Sequence, residues 1–266
     1  MPVPYWIVDA FTATAFRGNP AAVCLLDAPR SDPWMAAVAA EFALSETAFL
    51  VPDDDGWHLR WFTPTVEVDL CGHATLASTA VLAREEGHAG PFEFRTRSGV
   101  LRTQVADAGF TLDLPADLAR DEVSDARAAE ALGVAPTNAV VTGAWLVVEV
   151  ASADEVRACV PDPDGVARIA AAVDRHGVIL TARDGAGVVS RVFAPAVGIP
   201  EDPVTGAAHC ALGPYWQSRL GDAFDAEQAS ARGGHLGVRV VGDRVHLHGD
   251  AVVVARGHLL AGDGED

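Results

Sequence analysis

The chain of 266 residues has no lysine, so all 19 of its basic side chains are arginine. Schiff-base catalysis through a lysine amine is therefore excluded. Positive charge is scarce as well: 37 acidic residues give a formal net charge of −18, which repels nucleic acid and anionic membrane surfaces. An anionic substrate would have to be held by local arginines or by backbone N–H groups. No apolar run approaches the ~18–20 residues that a membrane span needs. The opening "MPVPYWIVDAF" has no charged n-region of a signal peptide. A cytoplasmic protein with neither membrane nor nucleic-acid partners is expected. The four cysteines (Cys24, Cys71, Cys159, Cys210) lack Cys-x-x-Cys spacing, as suits reduced thiols. There is no G-x-G-x-x-G after a strand, no P-loop and no G-x-S-x-G, so nucleotide binding and serine-hydrolase chemistry have no signal.

What is present is β-rich. "YWIVDAF" (5–11), "AAVCLL" (21–26), "TAFLVP" (47–52) and "WHLRWF" (57–62) combine aromatic and β-branched residues between turn residues and read as strands. "SDPWMAAVAAEFALSE" opens with Asp32-Pro33 and predicts a helix over 33–43. After Gly72, "HATLASTAVLARE" is apolar on nearly every face until Arg84, the pattern of a helix enclosed on all sides. Strands are expected at about 92–96, 100–105 and 109–114, then a capped helix from Ser124 to Gly133 and a second β-rich run from "NAVVTGAWLVVEV".

The second half echoes the first. "WFTPTVEVDLCGHATLAS" (61–78) and "VFAPAVGIPEDPVTGAAHCAL" (192–212) share Phe-x-Pro-x-Val, an acidic residue, and a glycine that opens an apolar helix. The two Phe-x-Pro-x-Val elements lie 193 − 62 = 131 residues apart, near half the chain. Two homologous halves are expected, 1–117 and 118–266. In each, a strand delivers a polar loop onto the N-terminus of a buried helix, where unpaired N–H groups and partial positive charge can hold an anion without lysine. Gly72 and Gly206 allow close approach of a ligand to that backbone.

Glu46 in "FALSETAFL" sits among Phe42, Leu44, Ala48 and Phe49 and should be partly desolvated, as suits a general acid or base near neutrality; the plain alternative is a solvated turn glutamate. Asp202 precedes Pro203, which favours an extended backbone; an ordinary turn aspartate would look the same. His73 lies in the first turn of its helix, where the dipole disfavours the imidazolium, and should be a mostly neutral hydrogen-bond donor. Cys71 is either a thiol activated by the helix terminus or inert packing. Zinc held by Cys71, His73, His209 and Cys210 is disfavoured: His209 and Cys210 diverge by ~100° on their helix, and Cys-x-His is tight for a ligand pair.

These segments, with "VDAFTATAFRGNPAAV" (8–23), "LSETAFL" (44–50), "TRSGVL" (96–101) and, more loosely, "QASARGGHLGV" (228–238), resemble in order the PhzF family of phenazine-biosynthesis-like isomerases, which share the diaminopimelate epimerase fold. The resemblance implies an α+β fold of two similar halves, each a mostly antiparallel or mixed sheet around a central buried helix, with the active site in the cleft between them. It also implies a homodimer and no cofactor; from the spacing above, no metal is expected. Glu46 would carry a proton between substrate carbons with His73 and Asp202 in support. Asn19, Gly72, Thr205, Gly206 and Ala207 would contact a small carboxylate substrate. Two departures stand out. Ala207 replaces a frequent family serine, and Thr205 stands where the related epimerases place their second catalytic cysteine. The expected function is a cofactor-independent isomerase. The alternatives are an epimerase or racemase using Cys71 and Glu46 as opposed bases, or a non-catalytic small-anion binder.

Overall fold

The structure, a computed structural model, describes residues 2–122, 131–195 and 198–262. The first strands and helices follow the sequence pattern within a few residues: β1 (Val3–Ala10), β2 (Asn19–Leu25), α1 (Asp32–Phe42), β3 (Glu46–Asp53), β4 (Gly56–Phe62), β5 (Glu67–Val68) and α2 (Gly72–Ala80). A π-helical turn (Val81–Glu85) prolongs α2, and β6 (Phe92–Thr96), β7 (Gly99–Val105) and β8 (Phe110–Pro115) follow. The N-cap of α1 is Ser31, one residue ahead of the expected Asp32; its side chain accepts from the Trp34 backbone N–H, with Pro33 in the first turn. The helix stops at Ala43, which turns left-handed at φ 51°. All nine residues of α2 are buried, as its apolar faces require.

The later elements are β9 (Asp121–Glu122), β10 (Pro136–Val141), β11 (Trp145–Val150), α3 (Ala153–Ala158), α4 (Pro163–Ala172), β12 (Gly177–Asp184), β13 (Gly187–Ala194), β14 (Ile199–Asp202), α5 (Gly206–Leu220), β15 (Ala223–Gln228), β16 (Gly234–Val241), β17 (Arg244–Gly249) and β18 (Ala251–Leu259). Most of the helix expected over 124–133 falls on 123–130, outside the described residues.

The chain forms two compact units, Met1–Asp113 with His248–Asp266, and Leu114–Leu247. Within the first, β1 and β2 are antiparallel, β2 and β3 parallel across α1, β3 and β4 antiparallel, β4 and β6 parallel across α2, and β6 and β7 antiparallel. The second repeats this order: β10 with β11 antiparallel, β11 with β12 parallel across α3 and α4, β12 with β13 antiparallel, β13 with β15 parallel across α5, and β15 with β16 antiparallel. Both short strands, β5 and β14, pair back onto the strand before them. The fold is α+β with a mixed sheet in each unit, and the sequence echo is an echo of topology.

The expected division into 1–117 and 118–266 needs correction. The first unit ends at Asp113, and residues from His248 onward return to it. The cause is β1, which pairs with β2 along one edge and with β18 along the other, from Val3↔Leu259 to Ala10↔Ala251. Among the described residues, no helix is long and apolar enough to cross a membrane.

Candidate active site

Each unit carries the same brace ahead of its buried helix. In the first, Arg60 donates from Nε and Nη2 to the two oxygens of Glu67, both at 2.7 Å, while its guanidinium lies 5.2 Å from the centre of the Phe62 ring. In the second, Arg191 grips Glu201 from Nε and Nη2 at 2.7 and 2.9 Å and sits 5.0 Å from the Phe193 ring. In both copies the arginine precedes the phenylalanine by two residues and the glutamate precedes the helix-opening glycine by five. Bidentate pairing of this kind fixes geometry as well as charge. The helices also begin alike: Thr75 Oγ1 donates to the Cys71 carbonyl at 2.6 Å, and His209 Nδ1 donates to the Thr205 carbonyl at 2.8 Å. Burial lowers the His209 pKa to about 4, so its imidazole is neutral at pH 7.

In the first unit, the strand starts and the helix start meet. Glu46 is the first residue of β3, Asn19 the first of β2 and His73 the second of α2, and all three are buried. His73 Nε2 lies 3.1 Å from Glu46 Oε2, within ion-pair distance, and among the described residues neither atom has a well-formed hydrogen bond. The other ring nitrogen, Nδ1, is 3.3 Å from Asn19 Nδ2 and 3.5 Å from Cys71 Sγ. Ser45 Oγ in turn donates to Asn19 Oδ1 at 3.2 Å. The buried carboxylate and the ring nitrogen therefore stand side by side as a close pair.

The helix dipole favours a neutral His73, and burial works in the same direction. The Glu46 carboxylate beside the ring opposes both, and the His73 pKa is raised above its ordinary value. The expectation of a mostly neutral imidazole is corrected accordingly. The Cys71 thiol is pushed up by burial first and by the Glu46 carboxylate second, so the helix terminus does not make it a thiolate. Glu46, Cys71 and His73 each bring a potential metal-ligating atom within 4.8 Å of the others. The carboxylate meets Nε2 and the thiol meets Nδ1, so the two groups face opposite nitrogens of the ring rather than one shared ion position.

In the second unit, Thr205 Oγ1 donates to Asp202 Oδ2 in a very short contact. The Thr205 backbone N–H donates to Gln228 Oε1 at 2.9 Å, and Gln228 Nε2 donates to the Asp202 carbonyl at 2.6 Å. Thr205 is the N-cap of α5, and Gly206 and Ala207 are its first two residues.

The sequence from residue 8 to residue 257 matches the PhzC-PhzF family, described as phenazine biosynthesis-like proteins. The chain belongs to that family. A Pseudomonas aeruginosa protein described as an uncharacterized isomerase is 46% identical over 262 residues, covering 97% of this chain and 99% of that one. The crystal structure of a PhzF-family protein from Enterococcus faecalis superposes with a TM-score of 0.93 at 38% identity, covering 98% of this chain and all of that one. The crystal structure of a probable proline racemase from Agrobacterium radiobacter shares the fold alone, with a TM-score of 0.63 at 12% identity over 97% of this chain and 92% of that one.

Of the site residues expected from the PhzF pattern, Asn19, Glu46, Gly72 and His73 gather within the first unit, and Asp202, Thr205, Gly206 and Ala207 lie on one loop and helix start of the second. Sequence reasoning missed the roles of Ser45 and Gln228. Gln228 opens the loosely matched "QASARGGHLGV", and that position was the available signal. The arginine–glutamate braces were also missed, although both copies of the echo carry them.

Proposed function

We propose that the protein is an isomerase that moves a proton between carbons of a small carboxylate-bearing substrate, with Glu46 as acid and base and without a cofactor. The observation that carries this reading is the buried Glu46 Oε2, which stands 3.1 Å from His73 Nε2 and has no well-formed hydrogen bond among the described residues. A general base needs an uncommitted lone pair in a site that sheds water, and a donor beside it to steady charge developing on the substrate. Glu46 and His73 supply those two functions. The carboxylate of the substrate would take backbone N–H groups at helix starts such as that of Gly72, the means a lysine-free chain has of holding an anion. The isomerase names of its relatives support the same reading.

A second reading, an epimerase with Cys71 and Glu46 as opposed bases, draws on the thiol 3.5 Å from His73. The raised pKa of that thiol weighs against it. Incubating the protein with a panel of cyclic and unsaturated carboxylates in deuterated buffer tests the proposal: deuterium should enter at carbon, and Glu46→Gln should abolish its entry. Turnover that survives Glu46→Gln would refute it, and carboxylate binding without turnover of any panel member would favour a small-anion binder.

A further inference from the structure

We propose that Gln228 is a positioning residue that acts through Thr205 to aim the Asp202 carboxylate. The orientation of its amide follows from its backbone partners. The Thr205 N–H can only donate, so the atom 2.9 Å from it is Oε1, and the Asp202 carbonyl can only accept, so the atom 2.6 Å from it is Nε2. Nε2 also reaches Thr205 Oγ1 at 3.3 Å, which makes that oxygen an acceptor and leaves its own proton for Asp202 Oδ2. Among the side chains, donation therefore runs from Gln228 Nε2 to Thr205 Oγ1 to Asp202 Oδ2, while the Thr205 backbone N–H donates back to Gln228 Oε1. Gln228 is fully buried and closes β15 opposite Ser190 of β13, so the clamp is anchored in the sheet rather than in the loop it holds.

The clamp redefines Thr205. Its hydroxyl is engaged at both ends, so Thr205 is a positioning residue and not a substrate contact, and it supplies no acid for chemistry that needs a group on each face of a carbon. The second loop then offers a substrate the Gly206 and Ala207 N–H groups and the oriented Asp202. Only the task of Asp202 in this inference rests on the proton-transfer reading.

The test is a carbon-13 titration of the Asp202 carboxyl by NMR in the full chain, together with amide hydrogen exchange at Thr205. Thr205→Val should move the Asp202 midpoint up by about one pH unit or more, because a donor to the charged form is lost, and Thr205→Ser should restore it. Gln228→Met should raise Thr205 amide exchange by roughly tenfold or more and move the Asp202 midpoint in the same direction. Should Gln228→Met fail to fold, Gln228→Glu keeps an acceptor for the Thr205 N–H while removing the donor, and should protect that amide without restoring the midpoint. An unmoved midpoint in Thr205→Val, or unchanged Thr205 exchange in Gln228→Met, overturns the inference. Failure of the unaltered protein to move protons on any substrate would sink the isomerase reading and leave these titrations standing.

Discussion

Replacing Arg191 with leucine should destabilise the protein far more than removing an arginine from an equally short pair at the surface. The Arg191 side chain is 12% exposed and that of Glu201 25%, and Arg191 Nη1 also donates to the Cys159 carbonyl at 2.6 Å. Leucine keeps apolar contact with Phe193 but strands a mostly buried carboxylate and a carbonyl. Breaking a buried pair from one side costs about 3–5 kcal/mol, and the partial exposure of Glu201 places the expected loss near the lower end, at about 3 kcal/mol. At about 2–4 °C per kcal/mol for a chain of this size, Tm should fall by roughly 6–12 °C. The control is Arg102→Leu, whose partner Glu93 is similarly close at 2.8 Å but whose pair is 59% and 48% exposed. Its effect should stay within about 0.5 kcal/mol. Both variants remove one positive charge from a strongly acidic chain, so general repulsion cancels in the comparison. Thermal unfolding by circular dichroism measures both, and equal shifts for the two would refute the claim that the brace holds the loop.

Glu46→Gln should abolish deuterium incorporation while leaving Tm within a few degrees, read by mass spectrometry and by unfolding. Cys71→Ala should reduce turnover only a few-fold, whereas a loss of several orders of magnitude would establish the thiol as a base. His209 lies buried with its pKa lowered from 6.5 to about 4, so the unfolded chain binds more protons between those values, and stability must fall as pH drops through that window. The contribution is roughly 3 kcal/mol between pH 7 and pH 4. In urea titrations across that range His209→Gln should show a shallower dependence, and an unchanged slope would dismiss the role. A homodimer is expected by light scattering at micromolar concentration, and a monomer there would contradict it.

Most strands were legible because their alternation and turn residues are local. "WHLRWF" becomes β4 almost as read, and the all-apolar "HATLASTAVL" becomes a wholly buried helix. What escaped depends on partners distant in sequence. Nothing in "AVVVARGHL" says that it will pair with β1 rather than stay with the strands just before it. The charge state of His73 was argued from its own helix, whereas the Glu46 carboxylate, from β3, pulls it the other way. Gln228 at the end of a strand resembles any exposed polar terminus until its amide is seen between Asp202 and Thr205. The braces were readable in principle, since each copy of the echo sets its arginine two residues before the phenylalanine and its glutamate five before the helix-opening glycine, but charge pairs across a turn of variable length carry no periodic signature.

The return of β18 to β1 has a consequence for the order in which the molecule can assemble. The second unit is continuous in sequence, so its pairings can close as soon as residues 114–247 exist. The first cannot: one edge of β1 stays open until residues 251–259 arrive, more than two hundred positions later, and an open edge is a template for pairing with another chain. Newly made protein therefore passes through an interval in which its later-encoded unit is complete and its earlier one is not, with an unpaired β1 as the exposed hazard. Cutting the chain before residue 251 would make that interval permanent.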